Sequence, residues 1–232
     1  MIALGIPTHF EAKDLLATVK QPTRKVIDGI ECTSGTIANV EVVIAITGIG
    51  RQHSSRAARV ILNNYSISFF ILCGFAGALV PSLHMGQILI AKNYSSEDLI
   101  NYIRLVPGFD LASLHTADEV IATAGDKARL AATTHCQMVD MEMSAVADVI
   151  NAAGIEILGV RAISDLASQD VPLDLFERAY DYAKAKPTPV RLAFYLMLKP
   201  WKIAALRELF HPLPEVRRKL SDFLITLLPE LP

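Results

Sequence analysis

Charge of one sign is scarce in this 232-residue chain: 22 Lys and Arg stand against 24 Asp and Glu, a formal net charge of −2. Binding to a nucleic acid draws on a surplus of cations, so no nucleic-acid partner is expected. Cysteine is equally sparse. Cys32, Cys73 and Cys136 are odd in number and lack metal-ligand spacing, which excludes a disulfide framework and implies free thiols in a reducing cytoplasm. The six histidines include no His-Glu-x-x-His pair, and no metal is expected. The longest apolar run, around Phe69 to Pro81, is too short for a bilayer span and is interrupted by glycines. No cationic signal region follows Met1, and no internal repeat or low-complexity tract is visible.

Cofactor fingerprints are missing too. Residues 40–50, VEVVIAITGIG, read as a buried strand entering a Gly-Ile-Gly turn. A dinucleotide site would want a third glycine where His53 stands, and no Gly-Lys-Ser/Thr marks a P-loop. The nucleophile-elbow pattern Gly-x-Ser-x-Gly is likewise absent. No cofactor is expected.

What is present is apolar: hydrophobic residues make up 52% of the chain. That suits a parallel or mixed sheet in one large α/β domain. Residues 137–167, QMVDMEMSAVADVINAAGIEILGVRAISDLA, set two carboxylates at the ends of one strand–helix–strand passage. Glu142 opens a helix that Gly154 ends, and Ser164-Asp165 closes the apolar β-branched run that follows. Ligands bind outside the carboxyl ends of strands in open α/β sheets, so both acids fall at one cleft. A carboxylate there can grip a sugar diol, and an acid of raised pKa can protonate a leaving heteroatom. Plainer readings exist: Glu142 as a helix-start charge and Asp165 as an N-cap.

VDMEMSAVA followed by GVRAISD resembles the nucleoside phosphorylase and nucleosidase superfamily, over roughly residues 1–185. The resemblance implies a three-layer α/β/α fold around a central mixed, partly barrel-like sheet, and cleavage of a purine N-glycosidic bond. It implies that Met141 packs on the ribose, Glu142 binds its hydroxyls and Asp165 assists departure of the base. Glu11, in MIALGIPTHFEAKDLL, matches the water-activating Glu of the nucleosidases; His9 is a weaker candidate of the same kind. Alternatively, Glu11 is an ordinary first-turn helix residue. Gly48, Gly50 and Arg51 are expected beside the nucleophile, with inorganic phosphate as a possible co-substrate; a solvated helix start is the other reading of Arg51.

The block SFFILCGFAGALVPSLHMGQILIA, residues 68–91, reads as a strand broken at Gly74 and Gly77 and a second strand from Gly86 to Ala91. Gly74 and Phe75 fall in the substrate-binding block of the resembling family, where Phe75 replaces a hydroxyl residue. Thr116-Ala117-Asp118-Glu119-Val120 stands where many nucleosidases have a base-stacking Phe motif, so Val120 or Ile121 is expected at the base. Lys127 and Leu130 match a helix behind the site, with Lys127 read as solvated.

From Lys186-Pro187 onward the composition changes. Residues 187–232 read as short amphipathic helices cut by Pro200, Pro212 and Pro214, a C-terminal extension packed on the domain of residues 1–186. Trp201 and Tyr195 beside Lys and Arg form the pattern of a membrane-surface helix, while a cover for the core or a subunit interface is the plainer reading. The tail and substituted motifs resemble the hopanoid-associated phosphorylases. That resemblance implies an adenine nucleoside with a lipid-like 5′ group, taken by phosphorolysis, in contrast to the hydrolysis that Glu11 favours. A cytoplasmic homodimer is expected, with peripheral inner-membrane contact through residues 190–225. The rival class is a non-catalytic nucleoside-binding or membrane-associated module that retains the fold.

Overall fold

The structure, a computed structural model, describes residues 1–181 and 186–232. The chain opens with β1 (Ile2–Ile6), α1 (His9–Thr18), β2 (Lys20–Ile27), β3 (Ile30–Ile37), β4 (Val40–Ile46) and α2 (Arg51–Asn64). Next come β5 (Phe69–Ala78), β6 (Ile88–Ala91), α3 (Glu97–Tyr102), β7 (Asp110–Ala112), β8 (Leu114–Thr116) and α4 (Ala124–Thr134). Then follow β9 (Met138–Asp140), α5 (Met143–Ala152), β10 (Glu156–Asp165) and α6 (Leu173–Ala179). The last elements are β11 (Tyr180–Asp181), β12 (Lys186–Pro187), α7 (Pro189–Leu198), α8 (Lys202–Phe210) and α9 (Leu213–Leu227).

Among the described residues ten strands form one mixed sheet, in the order β2-β3-β4-β1-β5-β10-β6-β7, with β9 pairing β5 and β8 pairing β9. Its centre, β4-β1-β5-β10, is parallel, and β6 runs antiparallel to β10. Alternate residues of the central strands feed two cores, as the two-residue period of a strand requires. On one face Leu4, Ile44, Ile71 and Leu158 meet α1 and α9. On the other, Val43, Phe70, Leu72 and Ile157 meet α2 and α5. The layers are α/β/α, as expected.

Helix α5 buries Met143, Val146, Ala147 and Ile150, the three-and-four spacing of a single apolar face. It ends in a Schellman turn: Gly154, at φ +69°, donates to Asn151 and Ile155 donates back to Ile150. The chain is thereby turned straight into β10.

Two expectations need correction. Strand β5 runs unbroken through Gly74 and Gly77, since β10 pairs with it from Phe69 to Gly77 and β9 pairs with Gly77 and Ala78. These glycines make room rather than end the strand: a Cβ on Gly74 would lie 2.6 Å from Glu11 Oε2, and one on Gly77 3.0 Å from Asp165 Oδ2. Pro214 does not cut the last helix but sits in the first turn of α9, where its missing N–H costs nothing. Helix α9 lays Val216, Leu220, Phe223, Leu224 and Leu227 into the core beside α1.

Candidate active site

The C-terminal ends of β1, β4, β5, β9 and β10 converge on a cavity of about 200 Å³. Glu11, Glu142 and Asp165 all line it, together with Phe75, Val120 and Met141. Residues far apart in sequence are brought together because β1, β5 and β10 are parallel neighbours whose ends coincide.

Glu11 enters from the first turn of α1. Thr8 caps that helix, accepting from the Glu11 N–H at 3.2 Å and donating its hydroxyl to Oε1 at 2.7 Å. The Phe75 N–H donates to Oε2 at 3.1 Å. Glu11 is thus both a first-turn helix residue and a buried cavity group. Burial pushes its pKa up, against the lowering effect of Thr8, the Phe75 N–H and Arg161.

Glu142 sits at the start of α5 yet makes no capping bond to that helix. Asp140 takes that task, accepting from the Met143 N–H at 2.9 Å. Glu142 instead accepts from the Gly50 N–H at 2.8 Å. Its pKa is pushed up to about 8, first by burial and then by the Asp140 charge, with Arg161 and the Gly50 N–H opposing.

The polar floor of the site lies in Asp140 and Arg161, both fully buried and paired at 2.6 Å. Arg161 also donates to Leu72 O and Val160 O, and Thr116 donates to Asp140 Oδ1 at 2.9 Å. Sequence reasoning missed both residues. The available signal was a lone Arg inside the β-branched run that β10 was expected to bury: a charge there must be paired.

Asp165 closes β10 opposite Gly77, just past an irregularity in the β5–β10 register. Ser164 donates to its Oδ1 at 2.9 Å, and Lys127 Nζ lies 2.5 Å from Oδ2. It caps no helix. Lys127 corrects its expected place on a solvated face: it is 1% exposed, because α4 lays it against the loop after β10.

The turn at Gly48–Arg51 has two of its N–H groups and the Arg51 guanidinium committed. The Gly48 N–H donates to Pro7 O, and the Gly50 N–H to Glu142. Arg51 is the exposed first residue of α2, as the alternative reading had it, yet its guanidinium also spans to Ser144 Oγ and Thr116 O at 2.7 Å each and to Asp118 at 2.7 Å. Met141, Val120 and Ile121 line both the cavity and a larger adjoining groove of about 1320 Å³ between α2 and α4. Gly74 contributes backbone space for Glu11, and His9 lies outside the cavity in an exposed pair with Glu31. No cluster of His, Cys, Asp or Glu suited to a metal ion occurs among the described residues.

Carboxylates at strand ends of a mixed sheet, two of them made less acidic by burial, define an α/β protein with an acid–base cleft. The chain belongs to the phosphorylase superfamily, whose family model matches residues 1–114 and 107–194. It is 26% identical over 196 residues to a 5′-methylthioadenosine/S-adenosylhomocysteine nucleosidase of Shewanella baltica, covering 71% of this chain and 83% of that protein. In fold it is similar to the Campylobacter jejuni nucleosidase of the same name, with a TM-score of 0.75, 19% identity and 99% of each chain covered. It also resembles the futalosine hydrolase of Helicobacter pylori, with a TM-score of 0.75, 17% identity and coverage of 99% and 97%.

Proposed function

We propose that this protein cleaves the N-glycosidic bond of a purine nucleoside, adenine being the expected base, with water as the nucleophile. The observation that carries the reading is the meeting of Glu11, Glu142 and Asp165 around one small cavity. Glu142 keeps one oxygen on the Gly50 N–H and has the other for the ribose hydroxyls. Met141, beside it, packs on the sugar. As the bond breaks, positive charge develops on the ribose, and the carboxylate form of Glu142, the minor form below about pH 8, is matched to that charge rather than to the neutral ground state. Glu11, less acidic than an ordinary carboxylate, accepts the proton of the attacking water. Asp165 serves the departing base.

Water is favoured over phosphate by the committed donors. The Gly48 and Gly50 N–H groups and three arms of Arg51 already have protein partners. Two buried carboxylates beside them make the place unfavourable for a dianion. The names of the similar proteins, nucleosidases and a hydrolase, support the same choice.

The 5′ group is proposed to be bulky and lipid-like. Leu209 and Leu213, from the C-terminal helices, add apolar wall to the cavity, and the adjoining groove has room beyond it. On α7 and the link that follows it, Val190, Phe194, Met197 and Trp201 stand exposed beside Arg191 and Lys199, which supports peripheral contact with a lipid surface. No helix among the described residues is long and apolar enough to cross a membrane.

The test is release of free purine from adenosine, 5′-methylthioadenosine and a 5′-alkyl-extended adenosine, with and without phosphate. Free reducing sugar without phosphate is the expected product, with the extended substrate favoured. Ribose 1-phosphate formed only with phosphate would overturn the hydrolytic reading, and no base from any of the three would overturn the enzyme.

A further inference from the structure

Lys127 has no part in the reaction as set out above, yet it is buried against one of its groups. It lies in the first turn of α4, behind the N-cap Thr123. Its ammonium has three donors, and all three are spent: on Asp165 Oδ2 at 2.5 Å, Leu166 O at 2.8 Å and Gln169 O at 2.9 Å. None remains for a substrate. The same two segments are stitched again by Val171 N–H to Ala122 O and Ala124 N–H to Asp170. Joining α4 to this loop therefore does not depend on the Lys127 ammonium alone. A buried ammonium is costly unless paired, and a Met at this position would fill similar space without that cost.

The geometry points to Lys127 as a positioning residue for departure of the base, an inference that rests on the glycosidic-cleavage reading above. The Asp165 carboxyl lies over Gly77, where a side chain would intrude, with Oδ1 on Ser164 and Oδ2 on Lys127. In the step, a proton drawn from solvent passes by way of the Asp165 carboxyl to a ring nitrogen of the purine. The C1′–N bond breaks with its electron pair going to the base, and Asp165 is left as a carboxylate. Water adds to C1′ and gives its proton to Glu11, so the proton spent at one carboxyl is recovered at another. Lys127 remains an ammonium throughout. Its charge stabilises the carboxylate that Asp165 becomes, and its three fixed bonds hold that carboxylate still.

The test compares Lys127→Gln and Lys127→Arg on two substrates: adenosine, whose base needs a proton to leave, and 4-nitrophenyl β-D-ribofuranoside, whose leaving group is stable without one. The ratio of the two rates is taken within each sample, so an incompletely folded fraction cancels. For Lys127→Gln the adenosine-to-nitrophenyl ratio should fall about 100-fold, the scale of a general-acid contribution, with KM for adenosine little changed. Lys127→Arg, which keeps the charge, should recover most of that ratio and carries the test if the glutamine variant does not fold: its ratio should then lie within about tenfold of wild type. Equal losses on both substrates would overturn the inference and make Lys127 a structural residue. An unchanged ratio in Lys127→Gln would overturn it as well. A wild-type protein that releases no base from adenosine, 5′-methylthioadenosine or the 5′-alkyl-extended adenosine would instead sink the glycosidic-cleavage reading, a different result from a wild type whose variants lose both activities together; if only the extended adenosine is turned over, it replaces adenosine in the ratio.

Discussion

Replacing Glu142 by Gln should stabilise the protein relative to wild type, increasingly so as the pH rises. The Glu142 pKa is lifted from an ordinary 4.5 to about 8 by burial and by Asp140. Between those values the folded state binds more protons than the unfolded chain, so the group's stabilising contribution is complete below pH 4.5 and is lost as pH climbs through 8. From pH 5 to pH 8 the loss is on the order of 3 kcal/mol, taking about 1.4 kcal/mol per unit of pKa difference. Gln cannot ionise, and its side-chain oxygen still accepts from the Gly50 N–H that now bonds Glu142. Thermal melts of wild type and Glu142→Gln across this range should therefore diverge. At roughly 2–4 °C per kcal/mol for a chain of this size, the variant's advantage in Tm should grow by about 6–12 °C between pH 5 and pH 8. Taking the difference between the two proteins cancels every other titrating group that the substitution leaves alone. Parallel curves would refute the argument, because they would mean Glu142 is ionised in the folded protein as readily as in the unfolded chain. The same variant should lose ribose recognition and turnover together.

Other outcomes follow from single contacts. Glu11→Gln should lower kcat on the order of 100-fold with KM little changed, measured as free sugar released. Gly74→Ala should leave secondary structure intact in circular dichroism yet cut kcat roughly tenfold to a hundredfold, because the new Cβ would stand 2.6 Å from Glu11 Oε2. Arg161→Met should strip the buried Asp140 of its partner and cost about 3–5 kcal/mol in urea unfolding.

The chain by itself was enough to order the strand–helix–strand passage around Glu142 and Asp165. Gly154 and the β-branched run after it are local signals, and local geometry acts on them directly. The α/β class followed from the apolar content and chain length, and the three-layer arrangement from the family resemblance. Glycine misled where it is used for space: Gly74 and Gly77 looked like breaks in a strand but are places where a carboxylate lies against the backbone. Pro214 misled similarly, since a proline that ends one helix can equally begin the next.

Pairing across the sheet could not be read from spacing at all. Lys127 and Asp165 stand 38 residues apart, and Gly50 and Glu142 stand 92 apart. Only the parallel alignment of β1, β5 and β10 carries Glu11, Asp165 and the Glu142 turn to one cavity. Whether a charge is solvated or buried then depends on what packs over it. On helix periodicity alone Lys127 is a surface residue; against the loop after β10 it is an ammonium with three protein acceptors. Local sequence fixes which residues can act, and tertiary packing decides which of them meet and in what charge state.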